Sequence, residues 1–516
     1  MSGRILAILW MSVLVTASRA PGQEVPSQTL RLVIHADQAT DTISRHIYGH
    51  FAEHLGRDIY DGFWTKANTG EWHLREDVID ALKRIQVPNL RWPGGCFADY
   101  YHWKDGIGAR DQRPTMVNTM WGGVTEDNSF GTHEYLELVN RLGTEPFIVG
   151  NVGSGTVQEM SEWWEYVNHP GGSPMADLRQ ENGRDEPWNV SMWGVGNESW
   201  GCGGTMTPEY YADVYKRFQT FLRAYGEVRP FRVATGPNSG DYNWTEVVMR
   251  EAGRNIDGLD LHYYTITGDW GRWGHATDFG EAEWFEMMNN TMQMEEFIDG
   301  HSAIMDRYDP RGRVALIVGE WGTWHQVEEG TNPGFLYQQN TLRDAMVAAW
   351  NLNLFNNHAR RVRGANIAQT VNVLQAMVLT RGQEMILTPT YHVFELYTVH
   401  HDALLLPTDL DAGSYTLGED SIPALSASAS RDAGGRIHLT LANLDPNAPR
   451  TLATTVVGTA ISRGSGRILT ADAMNAHNTF EDPRAVEPAE FTGFTLENGL
   501  LTVLIPPKSL VVLELE

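Results

Sequence analysis

The chain reads as an α/β protein, a (β/α)8 TIM barrel followed by a C-terminal antiparallel β-sandwich of jelly-roll type. Eight apolar or β-branched segments recur between residues 46 and 370. Stretches with helical hydrophobic period lie between most of them, and eight strand–helix alternations imply a parallel barrel ringed by helices. After Tyr397 the pattern changes to short runs of alternating polarity separated by turn residues, the signature of an antiparallel sandwich.

At the N-terminus Arg4 precedes the apolar run from Ile5 to Ala17, and Ala17-Ser18-Arg19-Ala20 follows. A positive start, a short apolar stretch and small residues near a cut site read as an export signal over 1–22. The run is too short for a comfortable membrane span. The expectation is a periplasmic or secreted protein with no stable membrane insertion once the signal is removed. Residues 29–35 alternate in part and read as a half-buried strand. That strand precedes the barrel, so residues 23–44 are expected to join the sandwich.

The barrel is expected over 45–384, with strands at 46–51, 89–92, 146–151, 191–198, 232–237, 258–264, 315–320 and 364–370. Helical stretches fall at 77–85, 134–142, 208–225 and 341–353, with Gly143 placed as a C-cap. The sandwich is expected over 385–516, with alternating runs such as 437–443 and 501–505. Residues 472–489 are polar and contain proline, which reads as a loop.

With 516 residues, 42% hydrophobic, the chain can bury a large core and more than one domain. Its net charge of −26 disfavours nucleic acid and anionic membrane surfaces as partners and is compatible with a neutral saccharide. Eighteen Trp and eighteen Tyr supply flat faces on which sugar rings could stack, although large cores also use them. Two cysteines, Cys96 and Cys202, allow one bridge and exclude a disulfide scaffold or a zinc ribbon. A homo-oligomer is compatible with the sequence.

Two carboxylates draw the chemistry together. Trp193-Gly-Val-Gly-Asn-Glu ends at Glu198 at the close of the fourth expected strand, and Glu320 stands at the close of the seventh. A buried strand that exposes one Glu at its C-terminal end is how a parallel barrel presents a reactive group. Two of them point to glycosidic bond cleavage by paired carboxylates, against the bland reading of strand-end charges reaching solvent. Asn197 supplies an amide for a sugar hydroxyl beside the reacting carbon. Glu198 is therefore the candidate general acid/base and Glu320 the candidate nucleophile.

These stretches resemble the α-L-arabinofuranosidases of glycoside hydrolase family 51. The resemblance is carried by Ile47-Tyr-Gly-His-Phe-Ala-Glu-His-Leu-Gly-Arg, Arg91-Trp-Pro-Gly-Gly-Cys-Phe, Trp193-Gly-Val-Gly-Asn-Glu, Leu261-His-Tyr-Tyr, Gly319-Glu-Trp-Gly-Thr-Trp and Ala365-Asn-Ile-Ala-Gln-Thr-Val-Asn. It implies a retaining, exo-acting enzyme that releases terminal arabinofuranose from plant cell-wall arabinan, arabinoxylan or their oligomers. It also implies that Glu53, Asn197, Tyr264 and Gln369 bind the arabinosyl unit, with Trp324 and Trp121 as walls. Cys96, His262 and Arg91 complete the candidate site, His262 and Arg91 as supporting groups. Cys96 stands where some members have Asn, and most relatives lack an export signal.

Ordinary structural roles compete with several of these assignments. Arg91 could neutralise a core acid, His262 could be a satisfied barrel histidine, Trp324 could be loop packing, and Cys202 reads as structural. His50-Phe-Ala-Glu-His54 matches a zinc-protease pattern. That motif needs a helix, and this segment reads as strand into loop, so no metal or cofactor is expected. The alternatives kept beside the leading reading are an endo-acting glucanase or xylanase and a non-catalytic carbohydrate-binding protein. The carboxylate pair argues against the last.

Overall fold

The structure is a computed structural model and describes residues 29–39, 41–67 and 69–516. The expected export signal, 1–22, lies outside the described residues. Eight parallel strands close a barrel in chain order: β1 (Gly49–Phe51), β2 (Asn89–Trp92), β3 (Glu145–Gly150), β4 (Met192–Val195), β5 (Phe231–Ala234), β6 (Gly258–Thr265), β7 (Ala315–Thr323) and β8 (Val362–Ile367). The expected barrel is therefore present.

Strand alternation sorts the barrel's side chains. Phe147, Val149, Met192, Val233, Ala315 and Ile317 form one buried cluster. Their neighbours along the same strands, Ile148, Trp193, Ala234, Leu316 and Val318, pack into the larger core. Gly258 and Gly364 make room for Ile317, since a Cβ at either would lie 3.0 Å from its side chain.

Two boundaries differ from expectation for local reasons. Residues 46–48 are not strand; Arg45–Tyr48 is a 3-10 turn whose first donor, His46 N–H, bonds the Ser44 side chain. A serine at that position satisfies a backbone donor that a strand would leave to its neighbour. The helix expected over 208–225 stops at Gln219, where the Thr220 hydroxyl bonds the Lys216 carbonyl at 2.7 Å. Gly143 caps its helix with φ 71°, as placed from the sequence.

The sandwich has two sheets. One runs Thr408–Leu410, Leu30–His35, Arg450–Val457, Leu500–Ile505, Phe494–Glu497; the other runs Leu404–Leu406, Leu425–Arg431, Ile437–Asn443, Ser509–Leu515, Gly464–Leu469, Ala489–Glu490. Leu30–His35 lies inside the first sheet, antiparallel to Thr408–Leu410 and parallel to Arg450–Val457. That parallel pair is the exception to the antiparallel pattern, because its two strands come from opposite ends of the chain. Leu30, Leu32 and Ile34 face a core with Leu439, Leu441, Leu452, Val503 and Leu513.

The segment before Leu404–Leu406, expected as the start of the sandwich, carries a buried helix, Pro389–Tyr397. Its Tyr397 hydroxyl bonds Ala349 O in helix Leu342–Asn357. That second helix ties barrel to sandwich, since Asn353 donates to Ser426 and accepts from Thr440. No helix of the described residues is long and apolar enough to cross a membrane.

Candidate active site

The C-terminal strand ends open on a cavity of about 610 Å³. Glu320 lies within β7, while Glu198 stands three residues beyond β4. The chain turns between them and the strand through Gly196 at φ 88° and Glu198 itself at φ 39°. At Gly196 a Cβ would come within 2.4 Å of Val152, so the turn requires glycine. A glutamate in the left-handed region is strained, and such strain collects where the fold over-determines a functional side chain.

Glu320 is held at both oxygens. Arg91 Nη1 donates to Oε1 at 2.7 Å and the Tyr264 hydroxyl donates to Oε2 at 2.8 Å. Burial and the charge of Glu320 keep the Tyr264 phenol far above its usual pKa, so it remains a donor. Glu198 Oε1 lies 2.9 Å from His262 Nδ1, and His262 Nε2 lies 3.0 Å from Asp260 Oδ2. Burial disfavours a charged ring, but Glu320 and Asp260 beside it override that and raise His262 to about 10. Both ring nitrogens then donate, one to each carboxylate. Burial also raises Glu198, with Glu320 adding to it and the His262 hydrogen bond opposing it. One oxygen from each glutamate and one nitrogen of His262 lie within 4.8 Å of one another.

Glu53 closes the inner end. Its Oε1 accepts from Phe97 N–H at 3.1 Å and Trp121 Nε1 at 2.8 Å, and its Oε2 from Gln369 Nε2 at 2.6 Å. Burial, then the charge of Glu320, raises its pKa to about 7. Gly95 allows the close approach, since a Cβ there would sit 2.9 Å from the Glu53 oxygens.

Cys96 and Cys202 form a disulfide. The bridge joins the loop after β2 to the loop after Glu198. Its sulfurs lie 3.9 Å and 3.5 Å from Glu198 Oε2, as contacts without a proton because neither sulfur carries one. Cys96 is thus a bridge sulfur at the cavity wall and not a free thiol.

Of the residues singled out from the sequence, Glu53, Cys96, Trp121, Glu198, His262, Tyr264, Glu320, Trp324 and Gln369 line this one cavity. Arg91 and Asn197 do not; they lie buried behind it, with Arg91 Nη2 donating to Asn197 Oδ1 at 2.5 Å. His50 and His54 share no ligand set. His50 packs on Phe394, while His54 Nδ1 pairs with Glu126 at 2.9 Å and its Nε2 accepts from Trp92.

Sequence reasoning missed four positions. Asp260 orients His262 and lies two residues before it, on the same strand face. Asp99 follows the Pro-Gly-Gly-Cys-Phe motif and accepts backbone N–H bonds from Val152, Gly153 and Asn197. Trp200 and Trp270 line the outer cavity. The period of β6 could have found Asp260; the others depend on loop paths that period does not report.

Comparison with known proteins places the chain. The family description "Alpha-L-arabinofuranosidase 1 domain" matches residues 81–270, and "Alpha-L-arabinofuranosidase C-terminal domain" matches residues 319–509. An intracellular exo-α-L-arabinofuranosidase of Bacteroides ovatus is 49% identical over 489 residues, covering 94% of this chain and 95% of that protein. The crystal structure of a family 51 arabinofuranosidase from Xanthomonas axonopodis pv. citri superposes with TM-score 0.93 at 48% identity, covering 94% of this chain and all of that one. This chain belongs to the α-L-arabinofuranosidases of glycoside hydrolase family 51. A Thermotoga maritima α-L-arabinofuranosidase, solved with arabinose, is also similar, with TM-score 0.81 and 32% identity over 94% of this chain and 99% of that one.

One expectation is corrected here. The sequence pointed to a periplasmic or secreted protein, but the Bacteroides ovatus relative, alike over nearly its whole length, is an intracellular enzyme. Export is not carried further.

Proposed function

We propose that this family 51 enzyme removes terminal α-L-arabinofuranosyl units from arabinan, arabinoxylan or their oligomers by double displacement with retention. The observation that carries this is the Glu198–His262–Glu320 cluster, whose facing atoms lie within 4.8 Å. Retaining glycosidases hold their carboxyls about 5–5.5 Å apart, whereas inverting ones leave about 6.5–9.5 Å for a water.

Glu320, held at both oxygens by Arg91 and Tyr264, attacks the anomeric carbon. Glu198 gives a proton to the departing glycosidic oxygen. His262 occupies Glu198 Oε1 as a donor, which leaves Oε2 to carry that proton. Once Glu320 is esterified its charge is gone, the pKa of Glu198 falls, and Glu198 takes a proton from the incoming water. That water cleaves the sugar from Glu320.

The sugar ring is assigned to the end closed by Glu53, Gln369, Trp121 and Leu374. Gln369 Oε1 is buried without a protein partner and is free to accept from a hydroxyl. Asn197 keeps Nδ2, whose nearest partner is Cys202 Sγ at 3.9 Å. Glu53, bonded to Trp121 and Gln369, walls the end assigned to the sugar, which suits removal of a chain end and disfavours an endo-acting cleft, which must pass a polymer in both directions. Trapping the covalent intermediate with a slow arabinofuranosyl ester-former tests the reading: the label belongs on the peptide carrying Glu320. Label on Glu198, or inverted product from an aryl arabinofuranoside, rejects it.

A further inference from the structure

Beyond the inner end, the cavity continues over Trp200, Asn238, Ser239, Asn290 and Gln293 to Trp270. Trp270 sits at the tip of a hairpin formed by Gly268–Asp269 and Arg272–Trp273. It is 66% exposed, the most exposed large apolar side chain among the described residues. Such a ring costs free energy in water, and an exposed apolar face beside a reactive cavity marks a contact surface.

The hairpin is not loose. Gly268 N–H bonds Glu286, and Gln326 Nε2 bonds Trp273 O at 2.6 Å. Trp273 stacks on Trp324 at 5.5 Å, and Trp270 meets Trp324 edge-on at 5.3 Å. Trp324 in turn meets Tyr264, the donor to Glu320. An unbroken aromatic wall therefore leads from the nucleophile to solvent. Facing it are the amides of Asn238, Asn290 and Gln293, and among the residues lining the cavity there is no lysine or arginine.

We infer that Trp270 is a platform for the leaving group, stacking on a neutral sugar residue of the chain from which arabinose is removed. This rests on the proposed function, with the arabinosyl unit at the Glu53 end. The amides offer hydrogen bonds to hydroxyls, and the nearby cations are already paired, His262 with Glu198 and Asp260 and Arg272 with Asp269, which leaves a uronic acid no free cation to pair with. Trp270 thus favours neutral oligosaccharides over small leaving groups and over acidic glycans.

The test compares Trp270→Ala and Trp270→Phe with the unaltered enzyme on 4-nitrophenyl α-L-arabinofuranoside and on α-1,5-linked arabinotriose. Trp270→Ala is expected to lose about tenfold in kcat/KM on arabinotriose, mostly through KM, and clearly less on the aryl substrate, whose leaving group is one ring and reaches less of the platform. Trp270→Phe should retain most of the preference. Calorimetry on Glu320→Ala reads the same contact without turnover. Arabinotriose should bind about tenfold more weakly when Trp270 is also alanine, and trigalacturonate should bind neither protein. Equal losses on both substrates, no loss on either, or tight trigalacturonate binding overturns the platform and leaves the arabinofuranosidase reading standing. Failure of the unaltered enzyme to cleave either substrate removes both.

Discussion

At the residue scale the two carboxylates differ in what surrounds them, and that difference sets their roles. Glu320→Ala should lose about 10³-fold or more in kcat, with azide restoring turnover and giving product of inverted configuration. Glu198→Ala should lose about 10²–10⁴-fold on substrates with poor leaving groups and far less on activated aryl ones. The pH profile follows from the same contrast. Burial and Glu320 raise Glu198, so it stays protonated into higher pH than an ordinary glutamate. Activity should fall as pH rises through that raised value, and Glu198→Ala should abolish this alkaline limb on the aryl substrate. The bridge beside Glu198 adds a second test. Reduced with dithiothreitol, Cys96 and Cys202 become thiols able to donate to Oε2, which favours the ionised carboxylate. The limb should then move to lower pH, and Cys202→Ala should not show the reductant's effect. The two carboxylates could be picked from sequence because each closes an apolar run that reads as a strand, whereas Tyr264, Gln369 and Trp324 came with the family resemblance. The bond from Arg91 to Asn197 could not, because it depends on which strands become neighbours, whereas Asp260, two residues before His262 on one strand, was within reach of the period and was passed over.

At the scale of elements, the barrel was legible because its strands are nearly continuous apolar runs. β7 is buried at all nine positions, the pattern of a strand covered on both faces. What period could not supply was termination: Ser44 turns 46–48 out of the sheet, and Thr220 ends a helix early. The pairing of β6 with β7 carries a register shift between Asp260 and His262, next to Gly319. A Cβ at Gly319 would lie 1.9 Å from Asp260 Oδ1. Gly319→Ala must therefore push Asp260 off His262, which loses its anchor against Glu198. Turnover of the aryl substrate should drop about 10²-fold while circular dichroism stays native-like, since an ångström of misplacement suffices for such a loss. Unchanged turnover would show that the His262–Asp260 contact does not position the acid.

For the whole molecule, barrel and sandwich share a boundary made by buried helices, and the N-terminal strand belongs to the far domain. Its alternation was readable, and so was its place ahead of the barrel. Its partners were not, because strand pairing across more than 370 residues leaves no local trace. Leu32 is fully buried in the sandwich core. Leu32→Ala should cost about 2–5 kcal/mol in chemical denaturation, with KM for the aryl substrate unchanged in the folded protein. A changed KM at native stability would mean the sandwich acts on the cavity. The position of this strand also bears on synthesis. Leu30–His35 leaves the ribosome first, and Arg450–Val457, which must lie alongside it, leaves among the last. At cellular elongation rates the gap is on the order of tens of seconds. For that interval a short, sticky β-segment keeps one edge bare while the barrel assembles behind it, and a ribosome that stalls before residue 450 releases a finished barrel trailing that orphaned edge.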